Sequence, residues 1–386
     1  MCDVPALRFP EFTGEWERHK LSEVCSFYSG GTPSSSKKEY YNGNIPFIRS
    51  GELHKDYTEL FITEAGLSNS AAKLVETGDL LLALYGATSG DIAISKIKGA
   101  INQAILCIRT KQNKKFIESV WNKHVERLLQ TYLQGGQGNL SADIVKNIPF
   151  YFANSNEQDK LAKFISLLDE RIATQNKIIE KLETLIKGIV DSIFTANEFP
   201  KVPFKEIYVR AGEGGTPATS NPEYYDNGTI PFIKIDDLQN KYIKTNKDCI
   251  TELGLQKSSA WIVPANSIIY SNGATIGAIS INLFPVCTKQ GILGVVPKAD
   301  INVEFLYYFM TSTAFTKAVE RIVTEGTMRT AYLKDINHIP CPVPCSVKQD
   351  EIAKLLSTLS EKLENEVIFQ MKLQKQKEFL LSQMFI

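Results

Sequence analysis

Residues 156–194 read NEQDKLAKFISLLDERIATQNKIIEKLETLIKGIVDSIF, a stretch without proline whose only glycine, Gly188, falls near its end. From Leu161 its apolar residues recur at alternating steps of four and three: Ile165, Leu168, Ile172, then Gln175, then Ile179, Leu182, Ile186, Ile189 and Ile193. Nine of these ten positions are apolar, so a 3.5-residue period is held for more than four heptads. That is the signature of a coiled-coil seam rather than of a helix lying on a globular core. At 1.5 Å per residue the helix would span roughly 50–55 Å, longer than a small domain is wide. It reads as a strut, and a strut with an apolar seam needs a partner.

The same chain supplies one. Adding 191 to each position gives residues 348–385, KQDEIAKLLSTLSEKLENEVIFQMKLQKQKEFLLSQMF, in which Gln158-Asp159 returns as Gln349-Asp350 and Phe194 as Phe385. The seam carries over as Ile352, Leu356, Leu359, Leu363, Glu366, Gln370, Leu373, Lys377, Leu380 and Met384. Three polar residues interrupt its middle and distal part, a device that fixes register at a cost in stability. Taken alone, the two helices make a structural spacer.

The remainder of the chain is also written twice. Gly30-Gly-Thr-Pro33 returns as Gly214-Gly-Thr-Pro217, Glu39-Tyr-Tyr41 as Glu223-Tyr-Tyr225, and Ile45-Pro-Phe-Ile48 as Ile230-Pro-Phe-Ile233. Ile62-Thr-Glu-Ala-Gly-Leu67 returns as Ile250-Thr-Glu-Leu-Gly-Leu255, Gly86-Ala-Thr-Ser-Gly90 as Gly273-Ala-Thr-Ile-Gly277, Gln103 as Gln290, and Asn147-Ile-Pro149 as His338-Ile-Pro340. The offset drifts only from 184 to 191, so the copies are collinear with small loop insertions. Short β-rich runs such as 80–85, 267–271 and 278–281 are punctuated by Gly, Asn and Pro. Each copy then has one helical patch, 115–133 and 303–323, a Gly-containing loop, and a Pro-punctuated lead into the long helix. The expected class is α+β, with a mixed or antiparallel sheet and helices in each globular unit. The expected division is a first unit over 1–152, a long helix over 153–196, a second unit over 197–343 and a second long helix over 344–386, the helices pairing as an antiparallel coiled coil.

At 386 residues and 43% apolar, the chain can bury more than one core. Its formal charge is zero, which gives no global support to a nucleic-acid partner and weighs mildly against one, so any basic surface must be local. The seven cysteines are scattered without a CxxC pair, and Cys341-Pro-Val-Pro-Cys345 has no zinc-ligand spacing around it; reduced cytosolic thiols are expected, and no metal. The N-terminus lacks an apolar h-region and no run approaches a membrane span, so a soluble, cytoplasmic protein away from any membrane is expected.

The order GGTP, YY-x(2–3)-G-x-IPFI, GATxG, a Gly loop, [NH]IP and a long helix opening at a Gln, all duplicated, resembles the specificity subunit of a Type I restriction-modification enzyme. Leu7-Arg-Phe-Pro10 and Trp16 resemble the lead-in of such subunits, and the likeness covers nearly the whole chain. It implies that each globular unit is a target-recognition domain for one half of a split, asymmetric double-stranded DNA sequence. It implies that the helices fix the gap and dock two methyltransferase subunits, and indirectly motor-nuclease restriction subunits. No cofactor is then expected in this chain; S-adenosylmethionine belongs to the partner methyltransferase. A two-fold repeated protein independently implies paired half-sites at a fixed separation.

Candidate DNA-reading residues are polar residues in loops at matching places. Arg49, Ser50 and Glu52 follow the first IPFI, and Lys234, Asp236 and Asp237 the second. Thr88 and Ser89 match Thr275, and Asn102 and Gln103 sit near Lys289 and Gln290. Gln137 and Asn139 lie in the first Gly loop; Thr327, Arg329 and Tyr332 lie in or just beyond the second. Arg, Lys, Gln and Asn pair bidentately with base edges, and carboxylates accept from cytosine. Lys96, Lys98, Lys111, Lys114 and Lys115 are candidates for phosphate positioning. The coil candidates are Leu161, Ile165, Leu168, Ile172, Ile179, Leu182, Ile186, Leu356, Leu359, Leu363, Leu373 and Leu380.

Catalytic readings fare worse. The Gly-Gly pairs are followed by Thr-Pro rather than Lys-Ser/Thr, so each reads as a turn before a strand and not a phosphate cradle. Asn221-Pro-Glu-Tyr224 recurs as Lys37-Lys-Glu-Tyr40, which removes its likeness to an amino-methyltransferase motif. His19, His54, His124 and His338 are dispersed, with no triad or metal cluster in prospect. The tyrosine pairs at 40–41 and 224–225 read as packing residues. A coiled-coil adaptor without DNA specificity and a self-contained DNA methyltransferase stand as the alternatives to a non-catalytic recognition subunit.

Overall fold

The computed structural model describes residues 4–133, 139–196, 199–273, 275–323 and 329–386. By contacts the chain divides into two units, Met1–Asn176 with Phe369–Ile386, and Lys177–Ile368. The division cuts through both long helices, so each unit owns one half of each helix.

The first unit runs β1 (Glu17–Lys20), α1 (Leu21–Val24), β2 (Cys25–Ser29), β3 (Tyr41–Ile48), β4 (Phe61–Ile62), α2 (Glu64–Ser68), β5 (Lys73–Val75), β6 (Leu80–Ala83), β7 (Ile92–Ile94), β8 (Gly99–Ile101), β9 (Ile105–Thr110), α3 (Lys114–Leu133), α4 (Ala142–Asn147) and β10 (Pro149–Phe152), and then α5 (Ser155–Ala196). Antiparallel strands in the order β2-β9-β6-β7 form one sheet, and β4-β3-β8-β5 forms a second in which β3 and β8 run parallel. A β1–β10 ribbon closes the unit beneath the long helix. The apolar residues of β6 and β9 are buried on both faces, which is why these strands read as continuous hydrophobic runs rather than alternating ones.

The second unit repeats the plan with β11 (Lys201–Pro203), β12 (Tyr208–Glu213), β13 (Ile230–Ile233), β14 (Tyr242–Ile243), β15 (Asp248–Ile250), α6 (Glu252–Gln256), β16 (Ile268–Ser271), β17 (Ile279–Asn282), β18 (Cys287–Thr288), β19 (Ile292–Pro297), α7 (Val303–Thr311), α8 (Thr313–Ile322), α9 (Leu333–Ile336), β20 (Pro340–Pro342) and α10 (Ser346–Met384). Its main sheet, β12-β19-β16-β17-β14, gains an edge strand in β14, and β15-β13-β18 keeps the parallel pair. The helical patch expected as one element is two here. Ser312 caps α8 through Phe315 N–H, and Thr313 bonds Asp191 of α5 through its N–H (2.7 Å) and its hydroxyl (2.6 Å).

The Gly-Gly-Thr-Pro segments follow β2 and β12 rather than simply preceding a strand. A Cβ on Gly30 would lie 1.8 Å from the Ile101 carbonyl oxygen, and one on Gly214 2.0 Å from that of Thr288, so only glycine permits these approaches. The tyrosines pack: Tyr41 and Tyr225 hydroxyls donate to the Pro33 and Pro217 carbonyls, both at 2.6 Å.

The long helices pair antiparallel within each unit. In the first, Leu161 and Ile165 of α5 share a core with Leu381, Met384 and Phe385 at the other end of α10. In the second, Val190 and Phe194 meet Ile352 and Leu356. Every seam position on both helices is buried or half-buried, including Gln175 at 5% exposure. Off the seam, Leu167 at 55% and Leu185 at 50% stay out, whereas Val190, Phe194, Leu381 and Phe385 are buried where the helices meet the globular cores. The polar seam residue Lys377 pairs with Asp169 of α5 at 2.5 Å.

One joint ties each globular part to its helix, and it is the same in both copies. Asn113 donates its N–H to Gln158 Oε1 (3.2 Å) and its Nδ2 to Asp159 Oδ1 (2.8 Å), while its Oδ1 caps α3 at Phe116 N–H (3.1 Å). Asn302 repeats this with Gln349 (2.9 Å), Asp350 (2.7 Å) and the Glu304 and Phe305 N–H groups. Two residues beyond, the copies diverge. Lys115 bonds Asp169 of α5 at 2.7 Å, whereas its counterpart Glu304 receives Lys241 at 3.2 Å and hydroxyls from Ser357 and Tyr242. Burial pushes the Asp169 carboxyl up, but Lys115 and Lys377 outweigh it and hold it below the ordinary range.

Asn113→Ala and Asn302→Ala should each cost about 1–2 kcal/mol in urea unfolding, through the lost cap and joint. Asn113→Asp keeps a capping oxygen but faces Asp159, so it too should destabilise, whereas an ordinary cap tolerates Asp. Wild-type stability for the Asp variant would show that the joint contributes nothing.

Candidate nucleic-acid interface

Parallel strands end together, and that brings the candidate segments to one edge. Ile48 of β3 lies opposite Ile101 of β8, so Arg49–Glu52 and Asn102–Gln103 emerge side by side. Gly30 N–H donates to the Asn102 carbonyl (3.2 Å), and the Thr32 hydroxyl to Gln103 Oε1 (2.7 Å), which adds the Gly-Gly-Thr-Pro segment. Leu84 N–H donates to the Ala104 carbonyl and accepts, through its own carbonyl, Leu140 N–H (2.9 Å) and the Ser89 hydroxyl (3.0 Å). The GATSG turn and the exit of the Gly loop thereby join the same edge.

The second unit brings the same segments together, partly through equivalent bonds. Ile233 lies opposite Thr288, and Lys289 N–H donates to the Ile233 carbonyl (3.0 Å). Gln290 N–H donates to Thr216 Oγ1 (3.2 Å), Asn272 N–H to the Gly291 carbonyl (3.0 Å), and Ala331 N–H to the Asn272 carbonyl (2.9 Å). Thr275 and Arg329 line one cavity of about 300 Å³ with Gly277 and Val319.

Of the candidate readers, Gln103, Asn139, Asp236, Thr275, Lys289, Gln290, Arg329 and Tyr332 are exposed. Ser50, Thr88, Ser89, Asn102, Lys234 and Asp237 are half-buried. Gln137 and Thr327 lie outside the described residues. Several side chains are already committed to the protein. Asn102 Oδ1 accepts Ala104 N–H (3.0 Å), Asp237 accepts Lys234 N–H (2.8 Å), and the Lys234 ammonium pairs with Asp248 (2.9 Å).

Arg49 is fixed most firmly, bonding Glu52 at 2.8 Å and Glu59 at 2.6 Å. Glu52 is 3% exposed and accepts from Arg49, Thr58 and the Glu59 N–H. Burial pushes its carboxyl up, but the bonds from Arg49 and the backbone win and hold it at about 2.

The lysines read as phosphate contacts are mostly turned inward or spoken for. Lys96 donates to the His54 carbonyl, Lys98 pairs with Glu76, Lys114 donates to the Gly78 carbonyl, and Lys115 faces Asp169; Lys111 is exposed. Lys111, Lys114 and Lys115 follow the end of β9, while Gln103 precedes its start, so these three lie away from the edge. Four features of the edge escaped the sequence reading: Thr32 with Thr216, the exposed Tyr85, the His54–Asp91 pair at 2.8 Å, and Asn272, whose buried Oδ1 has no hydrogen-bond partner among the described residues. Only the threonines left a signal, as repeated members of Gly-Gly-Thr-Pro. Among the described residues no group of His, Cys, Asp and Glu could hold a metal, and no helix is long and apolar enough to cross a membrane.

The fold is thus a duplicated α+β recognition unit on a helical pair, each copy presenting one composite loop edge. The profile of the family described as Type I restriction modification DNA specificity domain matches the chain twice, over residues 13–184 and 201–372, and the chain belongs to that family. It is a non-catalytic DNA target-recognition subunit. The MjaIX specificity subunit of Methanocaldococcus jannaschii is 24% identical, over 95% of this chain and 92% of that protein. The HindI specificity subunit of Haemophilus influenzae is 31% identical over 39% of this chain and 34% of that protein. In fold, the crystal structure of the Type I S subunit from M. genitalium aligns at a TM-score of 0.60 and 16% identity, covering 99% of each chain.

Arg49→Ala should lower stability by about 2 kcal/mol, because it strands the buried Glu52 carboxylate. The Glu52 contribution should be complete above the ordinary carboxylate range and lost as pH falls through about 2. Urea unfolding between pH 2 and 7 tests both. A loss of base discrimination at unchanged stability would instead make Arg49 a reader.

Proposed function

We propose that each unit reads one half of an asymmetric, two-part sequence in double-stranded DNA. The carrying observation is the duplicated edge. Its parallel strand pair and the bonds of Leu84 and Asn272 to the flanking segments recur while its tips differ, Arg49 against Lys234, Ser50 against Ile235, Ser89 against Ile276 and Asn102 against Lys289. Equal scaffolds with unequal side chains suit two different half-sites. The exposed residues Gln103, Asn139, Asp236, Thr275, Lys289, Gln290, Arg329 and Tyr332 are the proposed readers. Half-buried Ser50, Thr88 and Ser89 line the same edge.

The long helices, continuous through both units, fix the spacing between half-sites. Their exposed off-seam residues, Leu167 and Leu185 on α5 and Leu355, Met371 and Phe379 on α10, are the proposed seat of two methyltransferase subunits, through which restriction subunits join. Those partners carry S-adenosylmethionine and perform the base extrusion that adenine methylation requires. The proposed location is the cytoplasm.

Methylation mapping of genomic DNA from a host with and without this chain should show loss of one asymmetric two-part methyladenine motif. Unchanged methylation with intact, expressed methyltransferase genes would favour a protein adaptor. Inserting one heptad in both helices should change the preferred spacing and leave the half-sites alone; altered half-sites at the old spacing would refute the ruler.

A further inference from the structure

The helix beside each reading edge carries a motif that the DNA-reading function has not absorbed. Residues 123–127 read Lys-His-Val-Glu-Arg, and residues 317–321 read Lys-Ala-Val-Glu-Arg. We propose that this turn is a phosphate clamp, in which Lys123 with Arg127 and Lys317 with Arg321 grip the sugar–phosphate backbone of double-stranded DNA on the flank of each reading edge. The proposal rests on the DNA-reading function above and assigns it residues outside the loops.

The central valine seats the turn. In the first unit Trp121 Nε1 donates to the Gly90 carbonyl at 2.7 Å, and a Cβ on Gly90 would come within 2.8 Å of Val125. In the second, Val319 lines the cavity that holds Thr275 and Gly277. The same valine therefore faces this turn in both units, packed on Gly90 in the first and across a cavity from Thr275 and Gly277 in the second. Lysine and arginine lie two residues before and two after it, about 200° around the helix in each sense, so both cations share the face turned away from that turn. A helix diameter of about 10–12 Å sets their offset from the loop. That offset matches a loop seated in a groove about 12 Å wide with phosphates along its rim.

These cations are also unclaimed by acids. Among the described residues, no carboxylate forms an ion pair with Lys123, Arg127, Lys317 or Arg321, although Glu126 and Glu320 sit on the same turns. Among the other described arginines, Arg8, Arg49 and Arg109 have carboxylate partners, while Arg18, Arg171, Arg210 and Arg329 form no such pair. In the first unit Lys123 and Arg127 line a groove of about 690 Å³ with Arg18, Tyr132 and Tyr151. Lys123 also donates to the Phe385 carbonyl, and burial, with the nearby Arg127, pushes its ammonium pKa down. Arg18 opposes Tyr151 in the β1–β10 ribbon, and Lys201 opposes Pro342 at the matching place in β11–β20, so a third cation recurs as well.

The test uses the full chain assembled with its methyltransferase subunits. Binding to target and to mismatched duplex is measured against salt for wild type, Lys123→Gln/Arg127→Gln, Lys317→Gln/Arg321→Gln and the quadruple variant. Each pair should reduce the slope of log K against log [salt] by about 2, additively, and weaken target and mismatched DNA alike. Arg127→Lys and Arg321→Lys should keep the slope, which separates charge from folding. A wild-type slope in the quadruple variant, with target binding intact, overturns the clamp and leaves the reading function standing. Loss of subunit assembly in place of the salt effect overturns it in favour of an acidic protein surface. Failure of the wild-type complex to prefer any target refutes the reading function and the clamp with it.

Discussion

The structure depends on the asparagine joint between each globular part and its long helix. A helix more than 35 residues long with one apolar seam has no intrinsic reason to hold a β-rich unit at a fixed angle. Asn113 and Asn302 supply that reason by serving two helices at once, capping α3 or α7 with the side-chain oxygen and bonding the first turn of α5 or α10 with the amide. Gln158 and Gln349, both almost fully buried, complete it by donating back to the Ala153 and Pro344 carbonyls at the start of each helix. The glutamines are buried while the Asn–Asp bonds lie exposed, so it is a glutamine amide that losing the joint would strand.

From that joint the reading edge follows by geometry. The strand next to α3 or α7 is β9 or β19, and its far end is where β8 or β18 arrives beside β3 or β13. Parallel neighbours finish on the same side, which antiparallel ones do not, so the parallel pair that both units share gathers segments more than fifty residues apart. The loop bonds there are largely backbone to backbone. The edge therefore keeps its shape whatever side chains it displays.

The coil was legible because a seam is periodic. Each of its positions could be named from spacing alone, and even Gln175 occupies its place with the side chain buried. The duplication was legible because Gly-Gly-Thr-Pro sits where backbones approach too closely for a Cβ, as at Gly30 and Gly214, and because Gly86, Gly90 and Gly277 of GATxG take a positive φ. Side-chain commitments were not legible, since they depend on partners that periodicity does not reveal. Arg49 looks like a base reader until Glu52 and Glu59 are seen around it, and Lys115 looks like a phosphate contact until Asp169, more than fifty residues on, is seen beneath it. The break between α7 and α8 was hidden for a similar reason. No Gly or Pro marks it, and the acceptor that stabilises it, Asp191, belongs to the long helix.

The divergence of the two copies separates constraint from freedom. The joint asparagines, the parallel strand pair at the edge and the valine facing GATxG are retained. Beside the joint, the charge has reversed outright, Lys115 facing an aspartate where Glu304 meets a lysine set among Tyr242, Tyr307 and Tyr308. Such a reversal survives only when both partners change, because either single step would strand a partly buried charge. At the edge some tips are less tied: Thr275 is exposed and Lys289 joins the frame through its main-chain N–H, whereas Gln103 Oε1 accepts the Thr32 hydroxyl. A recognition surface is free to change its sequence where its shape is carried by the main chain, and that is the part of each unit in which these two copies differ.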